Sequence, residues 1–322
     1  MRLTARVTRV VVVAVIAAGT LAVWATTRSA APAFERPVGG GQHAPARTVP
    51  VHAAAHVPYK IQVNGAPAGV KAKGAELIDA ATGQVLWSKG MDTPLPMASI
   101  TKVMTALVVI QAGDMNRPIM VPKAVLNYVA KYGANSGGLV PGNVFTTQEL
   151  LEALLLSSAA DAAYSLANAY GPGLPAFIAK MNAEAKALGM ENTWFTAPDG
   201  LPYPTETSTY STPADLITLG LAAMKYPAFR SIVDQRFYQL KQGQGHKAYW
   251  WPNTNELIGH YSGAVGIKTG YTPTAGHTLL FEAIRNGRDL LGVVLGSPPT
   301  GPGSAAQDAV KMLNWAFALP AQ

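Results

Sequence analysis

The chain of 322 residues is 49% hydrophobic and 13% charged, which excludes a disordered protein and supplies the core of one large domain with an internal subdivision. Its net charge of +7 suits anionic surfaces such as wall polymers or lipid headgroups, while the lack of a long basic block or RNA-binding signature argues against nucleic acid. With no cysteine, no His-Glu-x-x-His string and six scattered histidines, neither redox chemistry nor a catalytic metal or other cofactor is expected.

Arg2, Arg6 and Arg9 precede an uncharged run from Val10 to Ala25, and small residues at Ser29, Ala30 and Ala31 suit a signal peptidase. Residues 1–30 therefore read as a signal peptide or a signal anchor. The run is slightly short of the roughly 20 apolar residues of a membrane span, so both readings stay open. Residues 31–57 are rich in proline, alanine and glycine and show no hydrophobic period, as in a flexible linker. His43, His52 and His56 within it are better explained as solvated residues than as metal ligands. The main folded domain is expected over 58–318. The chain closes soon after Phe317, so membrane attachment is expected only through the N-terminal segment.

Within the domain, Ala75 to Ala80 and Gln84 to Ser88 are predicted to pair as a hairpin around Ala81-Thr82-Gly83. Helices are predicted from Ser99 to Ala112, from Thr147 to Tyr170 as one long element, from Leu174 to Leu188 and from Thr212 to Lys225. Strands follow from Ala264 to Thr269, His277 to Arg285 and Asp289 to Gly296, with Asn286-Gly287 turning between the last two. A helix from Ala305 to Phe317 closes the domain. Strands at both ends with helices between them define an α+β fold: an antiparallel sheet flanked by helices, with an inserted helical lobe.

Two short strings carry chemistry. In Ser99-Ile100-Thr101-Lys102 the i, i+3 spacing puts a hydroxyl and an amine on one helix face. The amine can then act as the proton acceptor that a serine nucleophile needs. Lysine is a base only when neutral, so burial or a second cation must lower its pKa; Lys268, in Lys268-Thr269-Gly270, is the candidate second cation. At a helix start the backbone N–H groups are unpaired and can receive an oxyanion. Each string is common on its own, and the wording around them adds the specificity.

The segment from Gly74 to Gly113, GAELIDAATGQVLWSKGMDTPLPMASITKVMTALVVIQAG, resembles the start of the catalytic domain of serine D-alanyl-D-alanine carboxypeptidases, the low-molecular-weight penicillin-binding proteins of peptidase family S11. So do TAPDGLPYPTETSTYSTPADLITLGLAAM and, around the third motif, GAVGIKTGYTPTAGHTLLFEA. The likeness runs in order from about Pro58 to about Ala318. It implies the fold shared with serine β-lactamases. In it, Ser99 is the nucleophile, Lys102 the base, and Ser158 a proton relay to the leaving amine. Lys268 and Thr269 would hold the substrate's terminal carboxylate, Gly270 would admit its backbone, and the N–H groups of Tyr271 and Ser99 would form the oxyanion hole. Tyr210, Ser211, Asn253 and Asn255 fall in family-like segments and are expected to be structural, and His277 and Trp250 to be packing or rim residues.

One position departs from the family. Its Ser-x-Asn motif falls on Ser158-Ala159-Ala160, so Ala160 stands where an amide is expected. Asp161, the next residue, would point some 100° around a helix from that place. The implied activity is removal of the terminal D-alanine from peptidoglycan stem pentapeptides ending in D-Ala-D-Ala, through an acyl-enzyme that β-lactams trap. The enzyme would work outside the cytoplasm, on the outer face of the membrane or secreted to the wall. Two rivals are a catalytically weakened wall-binding module, motivated by Ala160, and a β-lactamase, which would need a water-activating group that no Glu-x-x-Leu-Asn string supplies.

Overall fold

The computed structural model describes residues 65–243, 245–298 and 304–320; the predicted export segment and linker lie outside the described residues. In chain order the elements are β1 (Gly74–Asp79), β2 (Val85–Lys89), β3 (Leu95–Pro96), a short 3-10 turn (Ala98–Ile100), α1 (Thr101–Ala112), β4 (Pro118–Met120), α2 (Ala124–Tyr132) and β5 (Val144–Thr146). Then come α3 (Thr147–Leu155), α4 (Ala160–Tyr170), α5 (Leu174–Ala187), β6 (Tyr210–Ser211), α6 (Pro213–Met224) and α7 (Pro227–Val233). The remainder is β7 (Phe237–Leu240), β8 (Tyr249–Pro252), β9 (Ala264–Thr272), β10 (Gly276–Arg285), β11 (Arg288–Ser297) and α8 (Ser304–Phe317).

Five strands form one antiparallel sheet in the order β2-β1-β11-β10-β9. Its central strands read as continuous apolar runs because both faces are covered. Alternate residues go to opposite sides. Leu280, Leu291, Val293 and Leu295 face the core that α6 covers, while Phe281, Leu290 and Val294 pack with Ala309, Met312 and Leu313 of α8. Asn286 (φ 53°) and Gly287 (φ 77°) turn the β10–β11 hairpin with two successive left-handed residues, as a tight two-residue loop requires. The helical lobe is built around α1, whose residues from Thr101 to Val109 are all buried. That explains a helix apolar on every side, with no solvent stripe.

The long helix predicted from Thr147 to Tyr170 is two helices. A capping box between Thr146 and Glu149 starts α3, which ends at Leu155, and α4 begins at Ala160. At the break Ser157 Oγ donates to Ala153 O at 3.1 Å, and Ser158 adopts φ 59°. A serine hydroxyl that bonds the carbonyl four residues back competes with the helical ladder, and two serines in succession lie where the helix stops. The leucine and alanine pattern on either side carries no glycine or proline to announce this turn.

Two carboxyl groups are buried in the sheet. Burial, reinforced by Asp289 beside it, pushes Glu282 up to about 8, and burial pushes Glu76 up to about 7, from a usual 4.5. Arg230 Nη1, 3.4 Å from Glu282, offsets this in part. Folded protein thus holds protons that the unfolded chain has released, so these groups make stability fall as pH rises from about 4.5 to about 8. Glu282→Gln keeps the shape and removes one such proton. Its melting temperature should fall less between about pH 5 and pH 8 than that of the wild type, and equal slopes would contradict the assignment.

Candidate active site

Ser99 lies in the 3-10 turn that leads into α1, and Lys102 sits in the first turn of that helix. Lys102 Nζ is 2.9 Å from Ser99 Oγ and 2.8 Å from the carbonyl oxygen of Asp199. Donation to that carbonyl fixes the amine, so in the neutral form its lone pair can turn to the serine hydroxyl. Lys102 is 2% exposed. Burial lowers its pKa to about 8 against the opposing pull of Asp199 and Asp161.

The turn is held in an unusual conformation. Ala98 has φ 49°, a left-handed value rare for a residue with a side chain. The loop after α5 presses on it: a Cβ at Gly200 would come within 1.9 Å of Ala98 O, so only glycine fits there. Thr105 Oγ1 donates to Pro198 O at 2.5 Å and anchors the same loop. The Pro-Asp-Gly stretch therefore delivers the carbonyl that orients Lys102. Reading the sequence for side-chain chemistry does not find a role that belongs to a backbone oxygen.

Ser158, on the turn between α3 and α4, lines the same cleft, as does the buried Ala160. Asp161 does not reach into it. Its carboxylate accepts from Ser136 Oγ at 2.6 Å, Gly137 N at 2.9 Å and Leu139 N at 3.0 Å, and so shapes the loop that follows α2.

The third wall is β9, an edge strand of the large sheet. Thr269, Gly270 and Tyr271 line the cleft; Lys268 is 1% exposed and lies behind them, with Nζ 3.1 Å from Thr269 O. Thr269 Oγ1 is 2.6 Å from Thr254 Oγ1. A Cβ on Gly270 would fall 2.5 Å from Thr278 Oγ1 and 2.9 Å from Ser99 N, so the bare glycine lets β9 close on the serine turn itself. The lysines are coupled in the sense opposite to the sequence expectation. Burial brings Lys102 down, whereas Lys268 is held well below the usual lysine value by its own burial and then by the charge of Lys102.

The cleft these walls enclose is about 630 Å³, a volume suited to a small peptide. Its remaining sides carry Tyr132 and Asn135 from the end of α2 and the loop beyond, and Gly200, Leu201 and Pro202. Neither Tyr132 nor Asn135 has a sequence signal, because α2 itself escapes the periodicity reading. His277 also lines the cleft, its ring 4.7 Å from that of Tyr271. Trp250 is exposed beside Phe237 on the β7–β8 hairpin and is absent from the lining. Asn253 bonds the carbonyls of Val233 and Gln235, Asn255 accepts from Leu257 N, and Ser211 pairs with Thr193, so these three hold loops. Tyr210 pairs with Trp194 through the backbone.

Such a site offers acyl transfer through a serine ester, and an antiparallel sheet joined to a helical lobe of this kind is the DD-peptidase fold of serine enzymes. Within that class, the chain belongs to the Peptidase S11 family, described as D-alanyl-D-alanine carboxypeptidase, whose sequence model matches residues 61–299. It is 37% identical over 262 residues to a D-alanyl-D-alanine carboxypeptidase of Streptomyces sp. strain K15, covering 78% of this chain and 88% of that one. It is 34% identical to D-alanyl-D-alanine carboxypeptidase DacF of Bacillus subtilis, covering 77% of this chain and 62% of that one. The crystal structure of the Streptomyces K15 DD-transpeptidase superposes with a TM-score of 0.74 at 36% identity, covering 79% of this chain and all of that one.

Proposed function

We propose that this protein is a serine D-alanyl-D-alanine carboxypeptidase that removes the terminal D-alanine of peptidoglycan stem pentapeptides. The observation that carries the reading is the 2.9 Å contact between Ser99 Oγ and a buried Lys102 whose pKa is lowered to about 8. Neutral Lys102 takes the hydroxyl proton as Ser99 attacks the carbonyl of the D-Ala-D-Ala bond. The oxyanion is received by the backbone N–H groups of Ser99 and Tyr271, where Gly270 lets β9 approach the serine turn. Ser158, in the same cleft, passes a proton to the departing amine, and water then hydrolyses the ester. The terminal carboxylate lies against Thr269, with Lys268 directly behind. An arriving anion favours the charged form of Lys268, which burial and then the charge of Lys102 disfavour. β-Lactams enter as substrate mimics and leave slowly from Ser99.

The reading places the enzyme outside the cytoplasm, exported by residues 1–30, which stay as an anchor or are cleaved, and carried on a linker over 31–57 ahead of a catalytic domain over 58–318. Among the described residues no helix is long and apolar enough to cross a membrane.

The test is incubation of purified protein with diacetyl-lysyl-D-alanyl-D-alanine. Equal amounts of free D-alanine and of the shortened peptide acid are expected. Binding of the peptide without release of D-alanine would instead support a wall-binding module.

A further inference from the structure

A peptide lying in the cleft brings N–H and C=O groups that lose water on binding, and each then needs a partner. Among the described residues Asn135 is the only side-chain amide that lines the cleft. An amide both donates and accepts, so it can pair with a peptide group at either of its polar atoms. Position 160, on the same wall, ends in a methyl group.

Asn135 is also firmly placed. Its carbonyl accepts from Ala160 N at 2.8 Å, and its Nδ2 donates to Ser157 O. The residues that follow it are tied to the buried carboxylate of Asp161 through Ser136, Gly137 and Leu139. Asn135 is thus bonded on both sides to the turn that carries Ser158. One Nδ2 hydrogen is used there. The other hydrogen and Oδ1 have no partner among the described residues, and the side chain is exposed to the cleft.

We propose that Asn135 binds the peptide group on the acyl side of the scissile bond and aligns its carbonyl over Ser99. The proposal rests on the acyl-transfer reading above. It makes Asn135 a substrate-contacting residue supplied by the α2 loop, on a wall where position 160 offers no polar group.

Four proteins test it: wild type, Asn135→Ala, Ala160→Asn and the double variant, each assayed for the second-order rate of acylation by benzylpenicillin and for kcat/KM of D-alanine release. Asn135→Ala should lose roughly ten- to a hundredfold in both, the scale of one or two hydrogen bonds, with little change in melting temperature. Ala160→Asn should recover most of that loss in the Asn135→Ala background and change the wild type by less than about threefold, a coupling that a merely structural residue would not show. Asn135→Ala within about threefold of wild type overturns the proposal. So does a loss that follows the melting temperature and is not recovered by Ala160→Asn. A wild type that benzylpenicillin does not acylate overturns the acyl-transfer reading and this proposal together, whereas failure of Asn135→Ala alone leaves that reading standing.

Discussion

Lys102→Met should lower kcat/KM for D-alanine release by roughly 10²–10⁴-fold, the usual range for a positioned general base, and should abolish the acid limb of its pH profile. The size follows from geometry: among the described residues Lys102 supplies the one side-chain nitrogen bonded to Ser99 Oγ, at 2.9 Å. The pH dependence follows from burial. With a pKa of about 8, roughly one lysine in ten is neutral at pH 7, against roughly one in two thousand for an unperturbed lysine. Wild-type acylation should therefore rise about tenfold per pH unit below about 8 and level off above it. Methionine has similar bulk, so the buried site stays filled while the base is lost. A wild-type profile flat from pH 6 to 9, or a Met variant that keeps the wild-type limb, would show that another group takes the proton.

Ser99→Ala should abolish acylation by penicillin and reduce turnover by roughly 10⁴–10⁶-fold, because the covalent route disappears and only binding and the oxyanion donors remain. Folding should survive. The Ser99 side chain is half-buried and its one bond is to Lys102, whereas the turn itself is held by the backbone of its neighbours and by the loop at Gly200. Removal of the hydroxyl also leaves Lys102 bonded to Asp199 O. The variant should therefore melt within a few degrees of wild type and still bind substrate, which makes it suitable for trapping a complex. Residual activity above about a hundredth of wild type would mean that the attacking atom lies elsewhere.

Much of this is legible in the amino-acid sequence. The β10–β11 hairpin is legible because Asn286-Gly287 specifies a particular turn between two apolar runs, and the sheet flanked by helices follows from the order of elements. Ser99 and Lys102 are legible because three residues of spacing on a helix mean one face. What stays hidden has a physical cause in each case. The break at Ser158 interrupts a pattern whose apolar spacing is helical on both sides, and only side-chain competition for the backbone marks it. The Asp199 carbonyl is invisible to a search for reactive side chains. The sense of the coupling between Lys102 and Lys268 depends on which is desolvated more, a property of packing and not of spacing. Asn135 reaches the cleft from a loop that owes its shape to Asp161, a long-range contact that no local signal announces.

The most direct trial of the account is to treat the purified protein with benzylpenicillin, digest it and locate the adduct by mass spectrometry. A single stoichiometric acyl group on the peptide containing Ser99, absent from Ser99→Ala, is the predicted result. Folded protein of unchanged mass, or an adduct on any other residue, would contradict it.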